Sequence, residues 1–178
     1  MKLNKANLPA QVLKARDMAI HYHGDQKYGD LPYVSHLDDV ATIVQSSGED
    51  AMTIAYLHDS LEDTNISADV IAQEFGTLIS DCVVLITDPY GMNRKAKKVI
   101  LLKRLSEIQD DNPMVLALEI KAADRLANMQ NSYENNANLF SMYLKEYIDF
   151  KNSVLRKTNS YIFDQIDSLL EYENSRYP

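Results

Sequence analysis

Apolar residues recur at helical spacing along almost the whole chain. Pro9 can open a first helix, because its missing N–H costs nothing at that position. Val12, Ala15, Ala19 and Tyr22 then mark one face, and Gly24 ends the run. Gly29, Asp30 and Pro32 predict a loop. Ser35 is placed to cap a second helix, HLDDVATIVQSS, which stops at Gly48. A third helix is predicted from about Asp50 to Glu62, broken by Asp63-Thr64-Asn65. Ser67 caps ADVIAQEF, which Gly76 terminates. TLISDCVVLIT follows as a further apolar helix; its Val-Val-Leu-Ile run resembles a strand but has no strand partner elsewhere in the chain. Asp88-Pro89-Tyr90-Gly91 is a turn, and helices are predicted over Asn93–Gln109, Met114–Asn131, Leu139–Leu155 and Ser160–Glu173. The expectation is an all-α fold of roughly eight to ten helices, one domain spanning 1–178, with no repeat and no internal boundary.

Composition narrows the function classes. A content of 46% hydrophobic and 25% charged residues is globular. A net charge of -8 argues against a general nucleic-acid binder and against a binder of anionic membranes. An anionic substrate would then need a local reversal of the field, which a bound metal ion can supply. Cys82 is the only cysteine, so no intramolecular disulfide is possible and a reducing compartment fits. Neither a signal-like start nor a bilayer-length apolar run is seen, and the expected location is the cytoplasm.

Two helices carry chemistry on their apolar stripes. In AMTIAYLHDSLED, residues Ala51, Ile54, Ala55, His58, Leu61 and Glu62 share a face, with Asp59 and Asp63 beside them. An imidazole and carboxylates at the edge of a buried face are costly unless paired or metal-bound. A lone His58 would more often be a satisfied core histidine, and a lone acidic trio a solvated helix end. Three acids at a helix C-terminus oppose the macrodipole, however, and call for a cation. In MVLALEIKAADRLANMQN, residues Ala117, Ile120, Asp124 and Ala127 share a face, with Lys121 and Asn128 at its edge. An internal Lys121–Asp124 salt bridge is the structural alternative there.

Two weaker features remain. The run Arg94-Lys95-Ala96-Lys97-Lys98 is by default a solvated face, but in an acidic chain it can gather phosphates, Arg94 and Lys98 best of all. Tyr143, Lys145 and Tyr147 in SMYLKEYIDF are either core packing or an aromatic and cationic wall for a nucleotide.

Taken together, His23-Gly24-Asp25-Gln26, Pro32-Tyr33-Val34-Ser35-His36, His58-Asp59-Ser60-Leu61-Glu62-Asp63-Thr64, Phe75-Gly76 and Lys121-Ala122-Ala123-Asp124-Arg125-Leu126-Ala127-Asn128-Met129 resemble the HD superfamily of metal-dependent phosphohydrolases. Within it they resemble the hydrolase domain of the RelA/SpoT alarmone enzymes and their small stand-alone relatives. The likeness runs from about Ala15 to Asn131. It implies a helical fold and one divalent ion, usually manganese, on the positions of His36, His58, Asp59 and Asp124. Two imidazoles and two carboxylates suit Mn²⁺ or Fe²⁺, whose bound water is the nucleophile of such hydrolases. The resemblance further implies that Glu62 and Asp63 position or deprotonate that water and that Asn128 contacts the nucleotide.

The chain departs from the alarmone pattern in three places. An Arg that usually follows the Gln in a longer loop is absent, and Gln26-Lys27-Tyr28-Gly29 stands there instead, leaving Lys27 as the candidate cation of this loop. Leu37 replaces the usual Pro after the first histidine, and there is no synthetase domain. The expected partner is a small-molecule nucleotide, and a homo-oligomer is compatible. The expected reaction is removal of the 3′-pyrophosphate from a guanosine tetra- or pentaphosphate. Alternatives are a phosphatase on a nucleoside monophosphate or phosphorylated dinucleotide, or a non-catalytic nucleotide-binding module.

Overall fold

The computed structural model describes residues 7–176, so the ends of the expected domain, 1–6 and 177–178, lie outside the described residues. The fold is all-α, with ten α-helices among those residues: α1 Ala10–His23, α2 Val34–Ile43, α3 Glu49–Leu57, α4 Ser60–Asp63, α5 Ala68–Phe75, α6 Thr77–Ile86, α7 Arg94–Ser106, α8 Val115–Asn135, α9 Ala137–Val154 and α10 Ser160–Arg176. Three helices carry side-chain caps among the described residues. Ser67 accepts from the Val70 N–H, Asn93 from Ala96 and Asn136 from Leu139.

Helix α3 is the axis of the molecule. Every residue from Ala51 to Leu57 is buried, because α1, α2, α6 and α8 enclose it on all sides. The amphipathic stripe expected for this segment is therefore only part of a helix that has no solvent face. Each large apolar side chain so buried contributes about 1.5–3 kcal/mol. Cys82 lies in the same core.

Three expectations need correction. The helix expected over Asp50–Glu62 is two helices, α3 and α4, separated at His58-Asp59, where Asp59 has φ -98° and ψ -2°. The His58 ring helps to end α3, since its Nδ1 donates to the Ala55 carbonyl at 2.8 Å. Ser35 does not cap α2, which starts one residue earlier; its hydroxyl donates to the Pro32 carbonyl at 2.8 Å. The loop before α2 contains a small antiparallel hairpin, Lys27–Tyr28 paired with Leu31–Pro32. Gly29 turns it with φ +59°, a conformation that side chains disfavour.

Asp38 fixes α2 against its neighbours. It accepts two bonds from Arg16 of α1, at 2.8 and 3.2 Å, and one from the Tyr56 hydroxyl of α3 at 2.8 Å. Arg16 and Asp38 are largely buried, so the pair is shielded from water. Arg16→Ala should lower stability by about 1–3 kcal/mol, from the loss of charge-assisted hydrogen bonds to a carboxylate that stays in place. Urea unfolding of the two proteins checks it; a change under 0.5 kcal/mol would mean that the pair does not hold α2.

Candidate metal centre and phosphate cavity

Helix α2 supplies His36, the α3–α4 break supplies His58 and Asp59, and α8 supplies Asp124. His36, His58 and Asp124 each offer a ligand atom within 4.8 Å of the others. His36 Nε2 lies 3.3 Å from Asp124 Oδ1 and 3.7 Å from Asp59 Oδ2. His58 Nε2 lies 3.0 Å from Asp59 Oδ2 and 3.7 Å from Asp124 Oδ1. All four sequence-predicted groups therefore converge, although Asp59 touches the cluster from the side of the imidazoles rather than from that of Asp124.

The donors fit a cation. Because His58 Nδ1 donates to Ala55, its buried Nε2 is the atom turned to the cluster. It faces two carboxylates, an arrangement that is repulsive unless a positive charge sits between them. Burial opposes a charge on His58, but Asp59 and Asp124 outweigh it and push its imidazolium up to about 10. A field that holds a proton there holds a metal ion equally well. Burial likewise opposes the charge on both carboxylates, yet His58 holds Asp59 well below the usual carboxylate range, and Lys121 with the two histidines does the same for Asp124.

The surrounding residues orient these groups. The Tyr33 hydroxyl donates to Asp59 Oδ2 at 2.5 Å, and its own ionisation is pushed far up by burial and by that carboxylate. Asn128 Nδ2 donates to Asp124 Oδ1 at 2.5 Å, while its Oδ1 accepts from the Tyr28 hydroxyl at 2.8 Å. The Tyr28 ring stacks on His36 with centroids 4.6 Å apart. Lys121 Nζ lies 3.3 Å from Asp124 Oδ2, so the internal salt bridge weighed from the sequence exists inside the cluster.

Glu62 and Asp63 part company at the end of α4. Glu62 lines a cavity of about 190 Å³ together with Lys121, Asp124 and Asn128, and its Oε1 accepts from the Asp88 N–H at 2.6 Å. Burial pushes its carboxyl above the usual range, against the pull of Lys121. Asp63 turns toward α1, where Gln26 Nε2 donates to it at 2.9 Å and His23 Nδ1 meets Gln26 Oε1 at 2.8 Å.

The far wall of the cavity holds Arg94, Lys98 and Tyr143 as expected, and adds Arg125 and Glu146, which the sequence reading did not single out. The Arg125 guanidinium lies 4.6 Å from the centroid of Tyr143 and 4.4 Å from that of Phe150. Three expected contacts lie elsewhere. Lys27 is exposed on the hairpin, where its neighbour Tyr28 enters the site instead. Lys145 is exposed on α9, and Tyr147 faces α10, donating to Asp167 at 2.5 Å. Lys145, two positions after Tyr143, points to the opposite side of α9, whereas Tyr147, one turn after Tyr143, shares its flank but is held toward α10 by the bond to Asp167. Tyr28 and Tyr33 sat within quoted motifs, but nothing in their spacing announced their roles. A wider groove of about 560 Å³, lined by Asp39, Thr42, Gln130, Asn131 and Glu134 among others, contains none of the cluster residues.

A buried His/Asp cluster in a helical bundle, opening on a cation-walled cavity, defines the class as an HD-type fold with a candidate metal site. The HD domain family matches residues 15–142, and the chain belongs to that family. It is 39% identical over 125 residues to the GTP pyrophosphokinase rsh of Brucella ovis, covering 66% of this chain but only 16% of that relative. It is 27% identical over 173 residues to the guanosine-3′,5′-bis(diphosphate) 3′-pyrophosphohydrolase MESH1 of Mus musculus, covering 91% of this chain and 94% of that one. A solved structure described as a metazoan ortholog of SpoT that hydrolyzes ppGpp has the same fold. Its TM-score is 0.81 at 22% identity, over 93% of this chain and 96% of that one.

Protein stripped with a chelator is expected to take up one equivalent of Mn²⁺, and His58→Ala and Asp124→Asn to take up none under the same conditions. Metal analysis after gel filtration measures this; full occupancy in both variants would rule out the cluster as the site.

Proposed function

We propose that the chain is a metal-dependent phosphohydrolase that removes the 3′-pyrophosphate of guanosine 3′,5′-bis(diphosphate). The observation that carries the reading is the convergence of His36, His58, Asp59 and Asp124 at the inner end of a cavity whose outer wall is cationic. The MESH1 relative, matched over nearly its full length and named for this reaction, supports the choice of substrate. The four residues would hold one divalent ion, and their mixed nitrogen and oxygen donors favour Mn²⁺. When bound, such an ion lowers the pKa of a coordinated water and polarises a phosphoryl group.

The chain's own residues supply the rest. Tyr33, Asn128 and the Ala55 carbonyl each hold one ligand in a single orientation, which fixes the site before substrate arrives. Lys121 stays charged beside Asp124: burial opposes this, but the surrounding carboxylates prevail, leaving an ammonium at the floor of the cavity for a phosphate oxygen. Glu62, raised by burial and kept in place by the Asp88 N–H, is the group suited to accept a proton on the cavity side. Asp63, tied to Gln26, orients the opposite edge. Arg94 and Lys98 meet the distal phosphates. The single buried Cys82 and a small-molecule partner fit a cytoplasmic enzyme. Among the described residues no helix is long and apolar enough to cross a membrane.

The test is incubation of the purified protein with Mn²⁺ and a nucleotide panel, reading pyrophosphate and orthophosphate separately. Pyrophosphate from guanosine 3′,5′-bis(diphosphate) is expected. Orthophosphate alone, or no product, would overturn the assignment in favour of another phosphatase or of a binding module.

Loss of a proton acceptor, or of the carboxylate that orients the opposite edge, acts mainly on the transition state, so kcat should fall much more than KM changes. Glu62→Gln and Asp63→Asn are expected to keep their metal and thermal stability but to lose about a hundredfold or more in kcat. If kcat stays within a few-fold while metal is lost, the pair serves charge balance rather than catalysis.

A further inference from the structure

Glu146 lines the cavity with Glu62, Asp88 and Asp124, and it is the carboxylate that three cations share. Arg94 Nη2 lies 3.5 Å from Oε2, Arg125 Nη2 3.4 Å from the same oxygen, and Lys98 Nζ 3.5 Å from Oε1. None of these reaches the 2.7–2.9 Å of a well-made charge-assisted bond. The contrast within the protein is the Arg16–Asp38 pair, which closes to 2.8 Å. Three positive charges on one negative charge leave a surplus of two in a chain of net charge -8.

Arg125 shows that this surplus is not spent elsewhere. Its guanidinium is pinned between Tyr143 and Phe150, and its buried Nη1 has no hydrogen-bond partner. A buried guanidinium N–H without an acceptor is costly unless an anion completes it. Glu146 satisfies only the other nitrogen. The wall thus has more donors than its resident carboxylate can use, and it lines the same cavity as Lys121 and Asp124.

We propose that Glu146 is a resident anion that holds Arg94, Lys98 and Arg125 in place, is displaced from them by a diphosphate, and keeps the site from retaining pyrophosphate. This rests on the reading of the cavity as a phosphate site. An incoming phosphate meets three cations already gathered at one point, but it meets the carboxylate between them as well. Repulsion between the two anions subtracts from the affinity of every phosphate that enters. A substrate anchored by its nucleoside and by the inner cluster offsets that loss with its other contacts. Free pyrophosphate keeps the inner contacts but lacks those of the nucleoside, so the loss weighs more on the product than on the substrate. Glu146 therefore acts through its neighbours, as a positioning residue that separates substrate binding from product retention.

The test is the affinity of the protein as purified for inorganic pyrophosphate, measured by titration calorimetry without nucleotide. Glu146→Gln keeps the size and hydrogen-bonding capacity of the side chain and removes the charge. It is expected to bind pyrophosphate at least tenfold more tightly, to show a lower KM for the nucleotide and to gain nothing in kcat, because release slows. Glu146→Asp, which keeps the charge but withdraws it by one methylene, should lie between the two and covers the case in which the Gln variant does not fold. Unchanged or weaker pyrophosphate binding in the folded variants would overturn the proposal and make Glu146 a structural clamp. The proposed reaction fails separately. A protein that releases no pyrophosphate from the nucleotide, yet whose Gln variant binds pyrophosphate more tightly, refutes the activity and leaves the role of Glu146 standing.

Discussion

Two carboxylates, Asp59 and Asp124, are brought against two imidazoles within 3.0–3.7 Å in a place that water scarcely reaches, and the rest of the fold is arranged around that encounter. Two carboxylates that share the same pair of imidazoles call for positive charge among them, and buried charge without compensation is among the costliest features a fold can carry. The elements that bear these groups are accordingly held from outside the cluster. Asp38 ties α2 to α1 and α3 two residues after His36. The His58 ring is locked to Ala55, and α8 carries Lys121 one turn before Asp124. The break between α3 and α4 falls at the same place: at that turn His58 and Asp59, adjacent in sequence, both reach the cluster.

Charge is sorted along the cavity rather than mixed. The inner end holds carboxylates with imidazoles and one lysine, and the outer wall holds Arg94, Lys98 and Arg125 around a single glutamate. For a polyanionic ligand this gives two separate sources of attraction. The inner one depends on a bound cation, while the outer one is built into the chain. In a chain of net charge -8, the cations gathered on Glu146 are the part of this cavity that can draw an anion without a bound ion.

How much of this was legible in the sequence follows from the kind of signal involved. Apolar periodicity placed nearly all the helices, since it reports burial directly, and Ser67 and Asn93 marked their own helix starts. His58 and Asp124 could be read because an imidazole and a carboxylate on apolar stripes are anomalous in themselves, with Asp59 beside the first, whereas His36 was legible only through the family resemblance. The break at His58-Asp59 was not legible. Each residue there is compatible with a helix, and the turn is set by tertiary contacts. Nor was the Arg125–Glu146 pairing, which joins α8 to α9 across 21 residues with no local pattern. Arg125 stood inside a quoted motif but looked like one more helix-edge cation. Lys145 and Tyr147 were grouped with Tyr143 by closeness in sequence, yet helix rotation carries Lys145 off the cavity face, and Tyr147 is taken by a tertiary bond to Asp167.

The loop between Gln26 and Pro32, where the chain departs from the alarmone pattern, has a definite structural meaning. Its hairpin lays Tyr28 flat on His36 and brings the phenol to Asn128, whose amide then bonds Tyr28 at one end and Asp124 at the other. An arginine on a longer loop would reach past the cluster toward solvent and phosphate. A tyrosine on a short one closes against the cluster and delivers no charge. Burial pushes the Tyr28 hydroxyl up to about 12, so it remains a neutral donor. Each polar group of the Asn128 amide uses only one of its two bonding positions in these contacts, so the side chain bridges Tyr28 and Asp124 at once. A tilt of the amide that lengthened one bond would lengthen the other. The shortened loop and the α8 asparagine thus act as one unit that holds Asp124 against the cluster.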